Sequence, residues 1–479
     1  MTIFVIILSL INFLIRIPFF NLPLHHDELV LFDGALKIYQ NHLNPFIDFS
    51  GYHPPVFFEP VAILFRIFGP SRVWGRLIVD IFSSLSLIFT YLLGKKIFSA
   101  RTGFLAALLL FFFPLFMGQS FLYQPPVLLT FLTLITLYCY FSDKKIFYLI
   151  FATLLVLTHE TTIFVIILLS LFNYLRDTRK NKLELLRESC FFLSPLIFFF
   201  LWTLLNRLYL GWFFWPEHFS LLTSNRAYPQ KPFDLILNLA VRDNLFWVIF
   251  IAIFLGLIFT HRKEVLFPKE KTNGVSLFFV FLYFFYLIIF YKLDFLPRYL
   301  LVLTPLVFLS FVWSLEKFLL KGRVLLISFI VGLFLFIFSY INFYYLFLSP
   351  EQVIWVGERD LSFLRIVFLQ KEAADYINSN FSDDVIISKW PIDQAFQDPF
   401  YGYVKKRMIT WSCGTDEEKD EIKRWLSQNN SKNIILVSST AYWVDRCLNS
   451  FNFRLVKEID LDYFPKADNI QIFSLVYDK

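Results

Sequence analysis

The sequence predicts a polytopic α-helical membrane protein of about eleven spans, followed by a C-terminal extracytoplasmic α/β domain. Of its 479 residues, 57% are hydrophobic and 17% are charged, and the mean hydropathy is +0.60. Soluble proteins carry about 25% charged residues, so this composition excludes an ordinary soluble chain. Hydropathy falls and charges increase from about Glu351. We therefore predict a membrane domain at 1–348 and a second domain at 349–479.

The spans follow from the length of the apolar runs, because a bilayer core about 30 Å thick needs about 20 residues per helix. The candidates are Met1–Phe20, Val73–Leu93, Thr102–Gly118, Pro126–Phe141, Phe147–Leu157, Thr161–Leu175, Ser189–Leu210, Leu245–Thr260, Val275–Tyr291, Tyr299–Leu315 and Val324–Leu348. The first lacks a basic n-region and a small-residue cleavage site, which predicts a retained span. The short apolar segment Pro54–Phe68 is either another span or a helix in the interface.

Lys and Arg predict the orientation, since they are enriched in cytoplasmic loops. With Pro54–Phe68 in the interface, most of the loop Lys and Arg fall in alternate loops, at 95–101, 144–145, 176–187, 262–271 and 317–323. The N-terminus is therefore predicted to be cytoplasmic in a multi-pass cell-membrane protein. The first outer loop (21–72) and the C-terminal region lie outside. The net charge of +6 reflects this topology, and no nucleic-acid partner is predicted.

Strands and helices alternate in the C-terminal region, which predicts an α/β sandwich with a mainly parallel sheet. Strands are predicted at 384–390, 433–439, 454–462 and 469–477, and helices at 371–380, 416–429 and 440–451. No phosphate-binding glycine loop occurs there. We favour a substrate-shaping or partner-binding cap over a second active site. If the region is extracytoplasmic, Cys413 and Cys447 either pair or remain free, whereas Cys139 and Cys190 lie in apolar segments.

Asp27 and Glu28 follow the first span directly, where acids are costly to hold and usually mark a site. A carboxylate there could serve as general base toward an acceptor hydroxyl. Adjacent acids at a helix start point in different directions, so one would meet the acceptor and the other would orient a neighbour or a metal. The structural alternative is capping of the next helix. We take both acids as candidate catalytic residues and predict that His26, beside them, binds substrate.

Other polar groups fall on the same predicted face. His53 precedes a double proline, and either contacts phosphate or sugar or is an ordinary interfacial histidine. His159 and Glu160 interrupt two apolar runs that are short for spans, which suits helices that stop inside a cavity. We predict that these three residues bind substrate.

Arg298, followed by Tyr299, opens the late apolar segment RYLLVLTPL. The planar guanidinium suits a phosphate, and the alternative is snorkelling to the interface. We predict that both residues bind substrate. No metal ligands are assigned, because the consecutive residues His25, His26 and Asp27 rarely converge on one ion. A divalent cation remains an open possibility, and no other cofactor is predicted.

Together these motifs resemble the GT-C glycosyltransferases, which use polyprenyl-phosphate sugars, and most closely glycosyltransferase family 39. That family includes protein O-mannosyltransferases and aminoarabinose transferases. The resemblance rests on HDE at 26–28, HPPV at 53–56, FGPSRVWGRLIVDIFSSLSLIFTYLLGKKIFSARTGFLAALLLFFFP at 68–114, PRYLLVLTP at 297–305 and the outer α/β domain. It covers roughly residues 1–320.

The resemblance implies an inverting transfer from a lipid-phosphate sugar that enters laterally from the outer leaflet. It implies Asp27 as catalytic base and Arg298 as phosphate ligand. Two positions depart from the family pattern. Gln119 and Gln124 stand near the position of a common acid, and His159–Glu160 replaces a frequent lysine. These departures leave the substrate open.

The predicted function is therefore transfer of a sugar to an acceptor hydroxyl on a protein, lipid or glycan at the outer membrane face. The expected partners are the polyprenyl-phosphate-linked sugar, that acceptor and membrane lipids. Two alternatives belong to other classes. One is a lipid-linked glycan polymerase, ligase or flippase, which does not need an acidic pair after the first span. The other is a polytopic transporter, which often shows internal repeats and charges at the membrane midplane.

Overall fold

The computed structural model describes residues 1–49, 51–176, 181–216, 271–291, 297–319, 361, 363–389, 392–413, 416–428, 434–439, 452–460 and 469–475. The helices up to residue 319 are α1 (Thr2–Leu14), α2 (His26–Gln40), α3 (Glu59–Phe68), α4 (Arg72–Ile97), α5 (Ala100–Phe112), α6 (Pro114–Gln119), α7 (Pro125–Phe141), α8 (Lys145–Val156), α9 (Ile163–Arg176), α10 (Lys182–Leu193), α11 (Pro195–Tyr209), α12 (Lys271–Tyr291) and α13 (Thr304–Ser314). Short 3-10 helices cover Ile17–Phe19, Pro55–Phe57, Glu160–Thr162 and Pro297–Leu303, and a π-helical turn covers Leu315–Leu319.

Each predicted apolar segment within the described residues coincides with one or more of these helices. Two predicted spans, Leu245–Thr260 and Val324–Leu348, lie outside the described residues. In the described part, three helical stretches are long and apolar enough to cross a membrane, namely Thr2–Phe19, Arg72–Ile97 and Arg298–Lys317. The pair α10–α11, bent by 41°, adds a fourth if it is one broken span. The count of eleven spans stays a prediction.

Helix α3 settles one alternative for the segment Pro54–Phe68. It has ten residues, and at 1.5 Å per residue it is about 15 Å long, half of what a span needs. Val61, Ala62 and Phe65 are buried on one side, whereas Ile67 and Phe68 are exposed. This segment is therefore an amphipathic helix packed beside α2 and α4 and is too short to span.

Helix α4 lies at the centre of the described bundle and packs against α1, α5 and α7. Its contact with α5 is made by glycines. A Cβ on Gly94 would lie 2.5 Å from the Cα of Gly103. The backbones therefore approach as closely as small residues allow in membrane helices.

The C-terminal part folds as a five-stranded sheet with helices on both faces. The helices are α14 (Phe363–Asn380), α15 (Ile392–Ala395) and α16 (Asp416–Gln428). The strands are β1 (Val385–Ser388), β2 (Ile409–Ser412), β3 (Ile434–Ser439), β4 (Phe453–Asp460) and β5 (Asn469–Leu475), in the order β2-β1-β3-β5-β4.

Alternation along the strands assigns each side chain to one face. Ile386 and Ile435 join the large core that includes α14, whereas Ile387 and Leu436 join a second core against Ile422 of α16. The sheet is thus covered on both faces.

Two expectations for the sheet were wrong. The sheet is mixed, because β1 pairs in parallel with β2 and β3, whereas β5 is antiparallel to both β3 and β4. The edge strand β2 was not predicted, because its four residues carry no long apolar run. The predicted helix 440–451 lies outside the described residues. Cys413 is disulfide-bonded, Cys139 and Cys190 are free, and the predicted partner Cys447 lies outside the described residues.

Candidate functional site

Asp27 and Arg298 form an ion pair that joins the start of α2 to the turn before α13. The Arg298 Nη2 donates to Asp27 Oδ2 at 2.6 Å, with the aspartate side chain 33% and the arginine side chain 15% exposed. Arg298 Nη1 also lies 3.4 Å from Gln124 Oε1. The guanidinium carbon is 5.8 Å from the ring centroid of Tyr299. The proposed base and phosphate ligand are therefore neighbours, both still reachable from solvent.

Glu28 occupies a different environment from the acid beside it. Its side chain is fully buried and accepts two bonds from Arg76, at 3.1 Å from Nε and 2.7 Å from Nη2. The backbone N–H groups of His25 and Tyr123 donate to it at 2.9 and 2.7 Å. Its carboxylate is thus occupied by protein groups, as expected for the acid that orients its neighbours.

These bonds also explain why α2 begins at His26. His25 is extended and caps the helix, while Glu28, three positions later, accepts from its backbone N–H. Acids in the first turn are favoured by the helix dipole. Arg76 further donates to the carbonyls of Leu22 at 2.6 Å and Pro23 at 2.9 Å, which fixes the incoming chain. The bonds that cap α2 therefore also fix the position of Asp27, whose side chain stays partly exposed.

His26 and His25 stack with ring centroids 3.8 Å apart, and both are buried. Burial lowers the pKa of His26 to about 4, against an opposing effect of the Asp27 carboxylate. Burial also lowers the pKa of His25, together with the nearby His26 and two arginines. The His26 ring is therefore neutral at physiological pH, and any substrate contact that it makes is a neutral hydrogen bond.

The three other predicted side chains come together in a second cluster. His53 Nδ1 and His159 Nδ1 lie 3.1 and 3.3 Å from the same oxygen, Glu160 Oε2. The two rings stack at 4.4 Å. All three side chains are partly buried, with exposures of 12–20%. The cluster joins the loop before α3 to the turn between α8 and α9.

Several contacts place these clusters at the same end of the bundle. The Tyr123 ring stacks on Phe57 at 4.5 Å, and its hydroxyl donates to the Phe57 carbonyl at 3.1 Å. Tyr123 also donates through its backbone to Glu28. Phe57 lies four residues after His53, so one short turn borders both clusters. The segment from His53 to Phe57 therefore links the surroundings of Glu28 to the second cluster.

Basic loops that were predicted for the opposite face also meet one another. Glu316 lies 3.5 Å from Arg101 Nε and accepts from the Thr102 hydroxyl at 2.6 Å. This contact joins the start of α5 to the end of α13.

Sequence reasoning missed Arg76 and the backbone amide of Tyr123, and noted Gln124 only as a departure from the family pattern. One signal was available. Arg72, Arg76 and Asp80 are spaced by four in the largely apolar first part of α4, so they share one face. Asp80 pairs with the buried Arg16 of the first span at 3.8 Å. This polar stripe ties α4 to α1 and to the loop before α2.

The C-terminal part reaches the same loop. Leu24 N–H donates to the Tyr401 carbonyl at 2.9 Å, and the Tyr403 hydroxyl donates to the Leu24 carbonyl at 2.9 Å. Arg72 Nη1 donates to the Phe400 carbonyl at 3.0 Å. The segment 400–403 therefore lies on the chain that leads into His26 and Asp27.

Comparison with known proteins gives concordant results. The family model described as dolichyl-phosphate-mannose-protein mannosyltransferase matches residues 52–206. Among curated proteins, no relative matches the sequence.

Three solved structures share the architecture. ArnT from Cupriavidus metallidurans, bound to undecaprenyl phosphate, has a TM-score of 0.58 and 13% identity, over 99% of this chain and 98% of that one. The same protein in the apo state gives 0.59 and 12%, over 99% and 97%. The Archaeoglobus fulgidus oligosaccharyltransferase, in complex with Zn and sulfate, gives 0.53 and 13%, over 90% and 67%.

At such identities the solved structures define the fold alone, and this chain shares that fold with ArnT and the oligosaccharyltransferase over 90% or more of its length. The resemblance to the mannosyltransferase-type family that the sequence motifs predicted is confirmed, with the matched part extending from Tyr52 to Asn206.

Proposed function

We propose that this chain is an inverting glycosyltransferase that moves a sugar from a polyprenyl-phosphate donor to an acceptor hydroxyl at the outer membrane face. The observation that carries the proposal is the Asp27–Arg298 pair, a partly exposed carboxylate beside a guanidinium. The family-model match supports this class. So does the fold shared with ArnT, a protein seen bound to undecaprenyl phosphate.

The reaction divides between the two residues. The acceptor oxygen attacks the anomeric carbon as the bond from that carbon to the phosphate oxygen breaks. The acceptor proton passes to the Asp27 carboxylate, and the lipid phosphate leaves with the bonding electrons. Phosphate is already a good leaving group, so charge stabilisation by Arg298 is the larger demand, and no protein acid is required. Attack opposite the leaving group inverts the anomeric centre.

The 2.6 Å bond between Arg298 and Asp27 implies that the donor binds before the proton is transferred. A phosphate that binds Arg298 takes the place of the Asp27 carboxylate on the guanidinium, because bidentate phosphate contacts use the same donors. Donor binding therefore frees Asp27 to accept a proton. Before the donor binds, the ion pair between Asp27 and Arg298 keeps both side chains at the edge of the site.

The neighbouring residues have separate roles in this proposal. Glu28 binds Arg76 and the loop before α2, and it acts as a positioning residue for Asp27. We assign neutral His26 and the Tyr299 hydroxyl to hydrogen bonds with sugar or phosphate. Gln124 stands beside Arg298 as a neutral group, and it can share the phosphate without competing for its charge.

The cell-membrane location and orientation belong to the same proposal. The N-terminus is cytoplasmic and the α/β part lies outside, above the site, where it borders the path of the acceptor. The bonds from segment 400–403 to Leu24 support this placement. The acceptor class stays open among protein, lipid and glycan.

The transferase, flippase and transporter hypotheses predict different fates for a labelled lipid-linked sugar. The full chain is reconstituted in liposomes with polyprenyl-phosphate sugars labelled in the sugar and with a panel of hydroxyl acceptors. A transferase moves label from lipid to acceptor and leaves free lipid phosphate. A flippase or transporter moves the label across the bilayer with its bonds intact, and that outcome alone would overturn the proposal.

Arg298→Gln tests the phosphate contact. Losing a charge-assisted bond costs about 1.5–3 kcal/mol, so transfer at low donor concentration should fall by about 10- to 100-fold. Arg298→Lys keeps the charge and should retain part of the activity. The matched control is Arg66→Gln, an exposed arginine on α3. Equal loss in both variants would contradict the assignment.

A further inference from the structure

We infer that His53, His159 and Glu160 form a binding site for one divalent transition-metal ion of the zinc type. Their candidate ligand atoms all lie within 4.8 Å of one another. The two histidine Nδ1 atoms are 3.1 and 3.3 Å from Glu160 Oε2. Among the described residues, this is the one group of three such side chains that meets this condition.

The distances fit a metal centre. Zinc bonds to nitrogen and oxygen are about 2.0–2.2 Å long, and tetrahedral angles then place two ligand atoms about 3.3–3.5 Å apart. The nitrogen–oxygen separations of 3.1 and 3.3 Å are already close to that value, and the two histidine ligand atoms lie within 4.8 Å of each other. One ion can therefore reach all three ligand atoms after a local adjustment of the side chains.

The donor set selects the class of ion. Two imidazoles and one carboxylate suit zinc and its transition-metal neighbours, whereas Mg²⁺ and Ca²⁺ prefer oxygen ligands alone. Three protein ligands leave one position of a tetrahedral centre for water. Such a centre would have an open face, unlike a closed structural site.

The loops that carry the ligands are held independently of any ion. Val56 N–H donates to the Leu157 carbonyl at 3.1 Å, which joins the loop of His53 to the turn of His159. The Tyr52 hydroxyl donates to Asn206 Oδ1 at 3.0 Å, and that of Tyr286 donates to the Thr161 carbonyl at 2.7 Å. Ligand side chains on loops that are already ordered lower the entropic cost of binding an ion.

Two local contacts change when the ion binds. The backbone N–H of Thr161 donates to His159 Nδ1 at 3.3 Å at the start of the 3-10 helix, and the Thr161 hydroxyl lies 3.0 Å from the same nitrogen. A metal that takes this lone pair replaces the cap bond with a stronger one. The two histidine rings already face the same Glu160 oxygen, so the arrangement without an ion resembles the one expected with it.

This site is separate from the divalent-cation position that the sequence left open. His25 and His26 stack on each other, and Asp27 is engaged by Arg298. The inference also uses neither Asp27 nor Arg298. It stands if sugar transfer is never observed, and its failure leaves the proposed transfer untouched.

The test measures zinc on the untagged full chain in detergent. Protein stripped with a chelator is equilibrated with Zn²⁺ alone, and the metal content and apparent Tm are recorded. We expect one tightly bound zinc per chain and a rise in Tm. His53→Gln, His159→Gln and Glu160→Gln should each weaken binding by tenfold or more, as loss of one of three ligands requires. The control His42→Asn removes an exposed imidazole and should behave as wild type.

A second measurement does not depend on the variants folding. Co²⁺ added to the wild-type chain should give the intense visible absorption of a four-coordinate site, and Zn²⁺ should abolish it. Zinc binding that is equal in all variants would overturn the inference. So would the absence of stoichiometric zinc in the wild type, or a Co²⁺ spectrum of the hydrated ion.

Discussion

Asp27 and Glu28 are adjacent in sequence and differ completely in environment. The Asp27 side chain is 33% exposed, whereas Glu28 is fully buried among four donors from three residues. A helix start explains the difference, because successive side chains point about 100° apart. Glu28 therefore fixes the loop while Asp27 remains accessible to substrate.

His26 predicts a dependence of stability on pH. Its pKa is about 4 in the folded chain and 6.5 ordinarily, so the unfolded chain binds more protons between these values. Stability is then fully present above about pH 6.5 and falls as the pH drops toward 4, by about 3 kcal/mol. Lowering of the His25 pKa acts in the same direction.

The measurement is the apparent Tm of the purified chain between pH 7 and pH 4.5. His26→Gln should flatten the decline, while the exposed-site control His42→Asn should leave its slope unchanged. A decline of the same steepness in His26→Gln would show that other groups govern acid unfolding.

Part of the site was predictable at the residue scale. Loop charges and span lengths predicted that Asp27, His53, His159 and Arg298 share a face; the structure pairs Asp27 with Arg298 and stacks His53 on His159. The pairing of Asp27 with Arg298 was not predictable, since 271 positions separate them. The partners of Glu28 include a backbone amide, which carries no side-chain signature.

The crossing of α4 and α5 shows how an element-scale contact constrains single residues. Gly94 and Gly103 face one another where the two helices meet, and a Cβ on Gly103 would overlap the backbone carbonyl of Tyr91. Backbone cannot rotate aside as a side chain does. The crossing therefore has no room for a methyl group at this point.

Gly103→Ala should destabilise the bundle. Overpacking costs about 1–3 kcal/mol, which exceeds the gain of about 1 kcal/mol from the better helix propensity of alanine. The apparent Tm in detergent reports the balance. Ile81→Ala, an exposed site on α4, is the control and should change little. A higher Tm for Gly103→Ala would mean that propensity outweighs the steric overlap.

At the element scale, hydropathy predicted the helices within the described residues and the interruption between α8 and α9. It did not predict the sheet topology, because the position of β5 between β3 and β4 depends on contacts distant in sequence. The strand β2 was missed because its four residues, Ile409–Ser412, are only partly buried.

For the whole molecule, the joint between the C-terminal part and the bundle lies beside the candidate site. Gly402 sits at φ 90°, and a Cβ there would lie 2.8 Å from the Arg72 guanidinium and 3.0 Å from Pro23 Cα. Arg72 and Pro23 belong to the loop and helix that position α2. A change at this joint should therefore reach Asp27.

Gly402→Ala should loosen the joint. The control is Gly69→Ala, which also has a positive φ of 85° but no atom near its Cβ, so it carries backbone strain without a steric contact to the joint. Amide exchange at Leu24 is the readout, because its N–H bonds the Tyr401 carbonyl. We expect faster exchange in Gly402→Ala alone. Equal exchange in both variants would exclude a role for this contact.

The central claim is that Asp27 accepts the proton of the acceptor while Arg298 holds the lipid phosphate. The most direct measurement is sugar transfer by Asp27→Asn in liposomes, with lipid-phosphate binding measured on the same protein and Asp33→Asn of α2 as control. We predict that transfer falls by about 10²- to 10⁴-fold. Binding should be retained, because Asn leaves Arg298 free for phosphate. Full transfer by Asp27→Asn would contradict the assignment of the base.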